Sequence, residues 1–139
     1  MVTIKFVELP FIARLREVLS KANLKSGLFS AISPNARDDE IEAGCAAYRS
    51  GHHDAIIAIG GGSAMDGGKA TCMTANNDID LWDFDYQKPV PHLAAGQDFP
   101  VLITVPTTAG TGAETEATAM VTHLQKQMKF CIDHPDLRP

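Results

Sequence analysis

The sequence predicts an α/β fold with a Rossmann-like parallel sheet and helices on both faces, in a single domain of 139 residues. Three observations lead to this expectation. Helix-like and strand-like segments alternate along residues 10–105. Two strand-like segments, residues 55–59 and 101–105, are apolar throughout, as strands covered on both faces are. Each ends at a glycine-rich loop, and parallel sheets bind ligands beyond the carboxyl ends of their strands.

The first part of the chain contributes two predicted helices and one predicted strand. Residues 10–22 are expected to be helical because apolar side chains recur at spacings of three and four, and Pro10 suits a first turn. Residues 27–32, GLFSAI, are short and apolar and are expected to form a strand. Residues 38–50 form the second predicted helix, which begins with two aspartates that suit its positive N-terminus.

The rest of the chain begins with the clearest predicted strand, residues 55–59, which leads into a third helix over residues 63–75. An irregular, proline-containing stretch then precedes the strand at residues 101–105. Residues 118–122 and 129–132 are expected to form the two arms of a hairpin.

Composition and charge exclude several classes of protein. Apolar residues are 45% and charged residues 21% of the chain, which is typical of a soluble globular protein. The formal net charge of −5 argues against nucleic acid or an acidic membrane as a partner. Three widely spaced cysteines without a CxxC pair indicate free thiols in a reducing compartment. We therefore expect a cytoplasmic protein that binds neither nucleic acid nor membrane.

The stretch AIIAIGGGSAMDGGKA contains the first candidate site. A strand that stops at Gly60, Gly61 and Gly62 and restarts as a helix leaves backbone N–H groups free to bind an anion, usually phosphate. The alternative is a tight turn with a capping box formed by Ser63 and Asp66. The loop alone does not decide between these two interpretations.

Two further features of the same helix have two interpretations each. Gly67 and Gly68 lie inside the helix, at a cost of about 1 kcal/mol each against alanine. Two explanations fit these glycines equally: the close approach of a flat ligand or another backbone, or the close packing of the helix on the sheet. Asp66 and Lys69 share a helix face and can reach one ligand, or form a surface ion pair worth about 0.5 kcal/mol.

The second candidate site follows the strand at residues 101–105. It carries three hydroxyl side chains separated by glycines, a combination that suits a sugar–phosphate ligand: Thr107, Thr108 and Thr111. A polar turn without a ligand is the alternative interpretation.

Together the two loops resemble one family. GGGSAMDGGK, residues 60–69, resembles the GGGSxxDxxK signature of the iron-containing (group III) alcohol dehydrogenases. PTTAGTGAE, residues 106–114, resembles their PTTAGTGSE signature, with Ala113 where serine is usual. ISPNARDDEI, GHHDAIIAIGGGS and QMKFCI resemble further segments of the family. The resemblance extends from about Leu9 to Pro139.

The resemblance implies that residues 1–139 form an NAD(P)-binding domain, incomplete at its N-terminal strand because only residues 1–5 stand in its place. It also implies roles for individual residues. The cofactor pyrophosphate would be bound by Gly60, Gly61, Gly62 and Ser63, and the cofactor loop would contain Thr107, Thr108 and Thr111. The adenosine side would be lined by Asn35 and Lys129. The catalytic pair near the nicotinamide would be Asp66 and Lys69, with Asp66 also a cofactor contact.

The resemblance further implies hydride transfer between NAD or NADP and a primary alcohol or aldehyde. The family's divalent metal, usually iron, is held in a helical domain that would follow Pro139, so we expect no metal ligands in this chain. We also expect the chain to be a fragment that is inactive alone, and the resemblance implies a homodimer as its assembly. A glycerol-dehydrogenase-like or dehydroquinate-synthase-like enzyme and a non-catalytic nucleotide-binding module remain alternatives.

Overall fold

The computed structural model describes residues 10–139, so the incomplete N-terminal strand expected over residues 1–5 lies outside the described residues. The elements are α1 (Pro10–Lys21), α2 (Asp38–Ser50), β1 (Ala55–Gly60), α3 (Gly62–Thr74), β2 (Val101–Pro106), β3 (Thr118–His123) and β4 (Met128–Asp133), with short 3-10 turns at Leu81–Phe84 and Pro135–Leu137.

The parallel sheet consists of β1 and β2, paired residue for residue from Ala55 opposite Val101 to Gly60 opposite Pro106. Side chains of β1 alternate between two helices. Ile57 and Ile59 pack with Ile12 and Leu15 of α1, whereas Ala58 packs with Met65 of α3. The predicted α/β class, with helices on both faces of a parallel sheet, is therefore confirmed.

The predicted hairpin is also present, as an antiparallel pair in which Thr118 lies opposite Asp133 and His123 opposite Met128. It forms a second sheet that packs on α3. The main core lies between this hairpin, α2, α3 and the chain before α2, and its largest members include Ile32, Ile41, Phe84 and Ile132.

The strand predicted at residues 27–32 is wrong. Among residues 10–139 the segment forms no ladder, and only Ile32 takes part in an isolated bridge. A strand needs a neighbouring edge, and here Leu28 and Phe29 instead line an apolar cavity of about 300 Å³ whose other side is formed by Ile56 and Ile57 of β1. Within the described residues the segment does not pair with β1, and side chains of both border this cavity.

The other predicted helices and strands begin and end within one residue of the observed ones. The largest consequence is at α3, which begins at Gly62 rather than at Ser63. Cys45 and Cys72 are buried free thiols, and Cys131 is half-buried. Among residues 10–139, no helix is long and apolar enough to span a lipid bilayer.

Candidate nucleotide-binding site

The two glycine-containing loops meet at the carboxyl edge of the parallel sheet. Gly60, the last residue of β1, has φ of +144°, which side chains rarely allow. Its carbonyl accepts a hydrogen bond of 2.8 Å from the N–H of Thr107. The loop after β1 and the loop after β2 are thereby joined at their first residues.

Direct packing continues between the two loops beyond this hydrogen bond. A Cβ atom placed on Gly61 would lie 3.1 Å from Oγ1 of Thr108, and one on Gly62 would lie 3.3 Å from Cγ2 of Thr111. The absence of side chains at these glycines lets the threonine loop approach the main chain. The structure thus brings together Gly60, Gly61, Gly62, Thr107, Thr108 and Thr111.

The N-terminus of α3 opens into this junction. Gly61 is its N-cap residue, and no side chain caps the helix. Within residues 10–139, no hydrogen bond is made by the N–H groups of Gly62 and Ser63. Free N–H groups at the positive end of a helix bind anions, phosphate above all.

The capping-box interpretation of this loop is wrong. Ser63 lies inside the helix, and its Oγ accepts a hydrogen bond of 3.0 Å from the backbone N–H of Asn35. Because the helix begins one residue earlier than expected, the Ser63 hydroxyl points to a distant segment rather than to its own helix.

Asn35 and Lys129, the two residues assigned by resemblance to the adenosine side, are joined to Ser63. The Lys129 ammonium donates a hydrogen bond to Oδ1 of Asn35. Asn35 itself has φ of +62°, a left-handed conformation that asparagine tolerates better than most residues. Three residues that are far apart in sequence therefore form one hydrogen-bonded chain at the N-terminus of α3.

Lys69 does not form the surface ion pair considered as an alternative. Its side chain is fully buried, and its Nζ donates a hydrogen bond of 2.7 Å to the carbonyl of Thr118 in β3. Burial lowers the pKa of Lys69, while the carboxylates of Asp66, Glu116 and Glu114 oppose that shift. Lys69 thus ties α3 to the hairpin.

Asp66 is partly buried on the same helix. Burial raises the pKa of its carboxyl group, and the backbone of Met120 together with the charges of Lys69 and Lys129 works in the opposite direction. Within the described chain no ion pair joins Asp66 to Lys69. The catalytic role of this pair stays a prediction.

Gly67 and Gly68 are explained by packing. A Cβ atom on Gly68 would lie 2.4 Å from Cβ of Ala58 in β1, and one on Gly67 would lie 3.0 Å from the side chain of Ile32. Both residues are buried. Gly68 lets α3 lie close against β1 and Gly67 lets it lie close against Ile32, so the ligand interpretation is not needed for them.

Sequence reasoning missed the contacts that hold the hairpin beside this site. The N–H of Leu124 donates to the carboxylate of Asp38, 3.3 Å from each oxygen. These residues are 86 positions apart, so no local pattern could connect them. Among residues 10–139, no three His, Cys, Asp or Glu side chains lie close enough together to hold a metal ion.

An α/β domain in which a glycine loop opens a helix beside a second polar loop is typical of nucleotide-binding proteins. The family model for iron-containing alcohol dehydrogenase matches residues 1–139, and the chain belongs to that family.

Individual relatives agree with this assignment. The chain is 32% identical over 122 residues to choline dehydrogenase of Bacillus subtilis (strain 168), covering 86% of this chain and 29% of the relative. It superimposes on the crystal structure of 1,3-propanediol oxidoreductase with a TM-score of 0.87 at 27% identity, covering 99% of this chain and 35% of that one.

A further solved structure is sulfoacetaldehyde reductase from Bifidobacterium kashiwanohense in complex with NAD+. The TM-score is 0.84 at 29% identity, and the match covers 99% of this chain and 35% of that one. The chain therefore spans about a third of the length of these relatives.

Proposed function

We propose that this chain binds NAD or NADP and forms the nucleotide-binding part of an oxidoreductase that interconverts primary alcohols and aldehydes. The observation that carries the proposal is the contact between the glycine loop and the threonine loop at the uncapped N-terminus of α3. The relatives support it, since they are a choline dehydrogenase, a 1,3-propanediol oxidoreductase and a sulfoacetaldehyde reductase in complex with NAD+.

Each group of residues has a part in this proposal. The N–H groups of Gly62 and Ser63 bind the pyrophosphate, and the hydroxyls of Thr107, Thr108 and Thr111 bind the sugar–phosphate portion. Asn35 and Lys129 lie where they can contact the adenosine half. When bound, the nicotinamide ring supplies the hydride acceptor or donor for the alcohol or aldehyde carbon.

Asp66 and Lys69 have different parts in the proposal. Asp66, part-buried and facing two cations, is the group available to hold a proton or orient a polar atom at the nicotinamide end. Lys69 acts through its hydrogen bond to Thr118, which fixes the hairpin. The described residues do not supply the convergent donor set that a divalent metal requires.

The remaining expectations follow from the same proposal. The substrate is a small alcohol or aldehyde, and neither nucleic acid nor membrane is a partner. The free thiols suit the cytoplasm, and a homodimer is the proposed assembly.

Gly61→Val tests the proposed site, because a branched side chain would meet Thr108 and fill the place where the phosphate approaches. Calorimetric titration with NAD+ and NADP+ should show at least a tenfold weaker affinity, with an unchanged circular dichroism spectrum. The matched control is Ala95→Val, which adds a similar apolar volume in an exposed loop. Equal affinity of wild-type chain and folded Gly61→Val would refute the proposal.

A further inference from the structure

The hairpin is attached to the segment 35–38 through its first strand. The N–H of Thr122 donates a hydrogen bond of 2.8 Å to the carbonyl of Ala36, and Thr122 forms an isolated parallel bridge with Arg37. The next attachment is the carboxylate of Asp38, which accepts from the N–H of Leu124. The segment between Asn35 and the start of α2 is thus held along one side of the hairpin.

Asp38 also contacts an aromatic cluster. Its Oδ2 lies 3.2 Å from Nδ1 of His123. The His123 ring stacks on the indole of Trp82, with ring centroids 4.5 Å apart and planes within 8°. Phe130 of β4 meets the same indole edge-on at 5.4 Å. The Asp38 side chain is therefore fixed by the turn of the hairpin and by a stacked pair, and only 22% of it is exposed.

The second strand of the hairpin reaches the same segment at its other end. Lys129 lies directly opposite Thr122 in the β3–β4 register, and its ammonium binds the side chain of Asn35. Asn35 in turn donates its backbone N–H to Ser63 at the N-terminus of α3. One pair of facing hairpin residues thus holds both Ala36 and Asn35.

From this arrangement we infer that Asp38 is a positioning residue for the candidate nucleotide site. It holds the hairpin against the segment 35–38, which keeps Lys129 in reach of Asn35 and Asn35 in its left-handed conformation beside Ser63. Asp38 acts through Asn35 rather than on the nucleotide itself. The inference rests on the proposed function, because its effect is measured as nucleotide affinity.

The test compares Asp38→Ala with Asp39→Ala by calorimetric titration with NAD+ and NADP+. Asp39 is a matched control, because it lies in the same first turn of α2 and its side chain pairs with Arg37 rather than with the hairpin. We expect Asp38→Ala to bind nucleotide at least fivefold more weakly and Asp39→Ala to stay within twofold of wild type. Equal losses in the two variants would overturn the inference.

A double-mutant cycle separates positioning from a general loss of structure. If Asp38 acts through the contact of Lys129 with Asn35, the double variant Asp38→Ala, Lys129→Met should bind nucleotide no more weakly than whichever single variant has the lower affinity. Additive losses would overturn the inference. Asp38→Asn keeps an oxygen that can accept from the N–H of Leu124, so it should bind nucleotide more tightly than Asp38→Ala, and equal affinity of these two variants would overturn the inference.

Fluorescence of Trp82, the single tryptophan of the chain, gives a readout without nucleotide. Asp38→Ala should change the emission because the His123 stack loosens, whereas Asp39→Ala should not. No change in either variant would overturn the inference. A wild-type chain without nucleotide affinity would refute the proposed function. A wild-type chain that binds nucleotide, but no more tightly than Asp38→Ala, would refute only this inference.

Discussion

At Gly68 two opposing effects can be compared by size. Alanine would favour the helix by about 1 kcal/mol, but its methyl group would lie 2.4 Å from Cβ of Ala58. Neither Cβ can rotate away, so helix and strand must separate, and overpacking of this kind costs about 1–3 kcal/mol. We predict that Gly68→Ala lowers the free energy of unfolding measured in urea.

Gly67→Ala is the matched control for this prediction. The three atoms nearest to its new Cβ would all belong to the Ile32 side chain, at 3.0–3.1 Å rather than the 2.4 Å found at Gly68. The loss should be clearly smaller than for Gly68→Ala. A Gly68→Ala variant as stable as wild type would show that packing does not require glycine there.

Asp66 predicts a pH dependence of stability. Burial raises the pKa of its carboxyl group, so the folded chain holds this proton more tightly than the unfolded chain does. Asp66 does not destabilise the fold at a pH below its unfolded pKa of about 3.9. Its destabilising effect grows as the pH rises from there through the raised pKa of the folded chain. Asp66→Asn should therefore be more stable than wild type at pH 7.

The measurement is urea unfolding of both proteins between pH 3.5 and pH 7, where the difference should shrink as the pH falls. Asp54→Asn, an exposed aspartate, controls for the loss of one charge. If Asp66→Asn exceeded wild type in its free energy of unfolding by the same amount at every pH, the prediction would be contradicted.

At the scale of elements, hydrophobic patterns predict those helices and strands whose formation depends mainly on their own residues. The apolar run before Gly60 and the run before Pro106 were correctly predicted as parallel strands, and the periodic segments as helices. Residues 27–32 carry the same apolar signal, yet a strand exists only where another edge pairs with it. A cavity lies there instead, and composition does not report this.

The candidate site was predictable to different degrees. The loops after β1 and β2 had to meet because carboxyl ends of paired parallel strands share an edge. For Ser63 the local pattern allows both a capping box and a phosphate contact, and it gives no sign of the observed partner, Asn35, which is 28 residues away. Asn35 and Lys129 came only from the family resemblance. The contact of Asp38 with the hairpin had no sequence signal at all.

Arg49, at the end of α2, binds backbone carbonyl groups at and just after the C-terminus of α3. Its guanidinium donates to the carbonyls of Thr74 and Ala75 at 2.8 Å each and to that of Asn77 at 3.3 Å. The last carbonyls of a helix lack partners within it. Hydrogen bonds to charged groups are worth about 1.5–3 kcal/mol, and the value is lower here because Arg49 is exposed. We predict that Arg49→Met lowers the free energy of unfolding by about 1–2 kcal/mol.

The control for Arg49 is Arg14→Met, which removes an exposed ion pair with Glu17 in α1. Fully exposed pairs contribute little to stability because water and salt screen them, so this loss should be the smaller one in the same urea experiment. Equal losses would mean that Arg49 stabilises the chain only as a surface charge.

At the scale of the whole molecule, coverage of the parallel sheet is uneven. Ile57 and Ile103 are paired partners and so share one face of the sheet. Helix α1 covers this face above β1, where Ile57 and Ile59 pack against it. Above β2, however, Val101, Ile103 and Val105 are 63%, 49% and 40% exposed, respectively.

Three neighbouring apolar side chains on a sheet favour association, because burying them removes about 25 cal/mol of unfavourable hydration per Å². We predict that the chain self-associates as its concentration rises, and that Val101→Lys combined with Ile103→Lys shifts it to monomer, since charged side chains resist burial at such a face. Sedimentation equilibrium at several concentrations measures the change. Val90→Lys, at an exposed valine in the loop before β2, is the control and should associate as wild type does. A wild-type chain that is monomeric throughout, or a double variant that associates as strongly, would contradict the prediction.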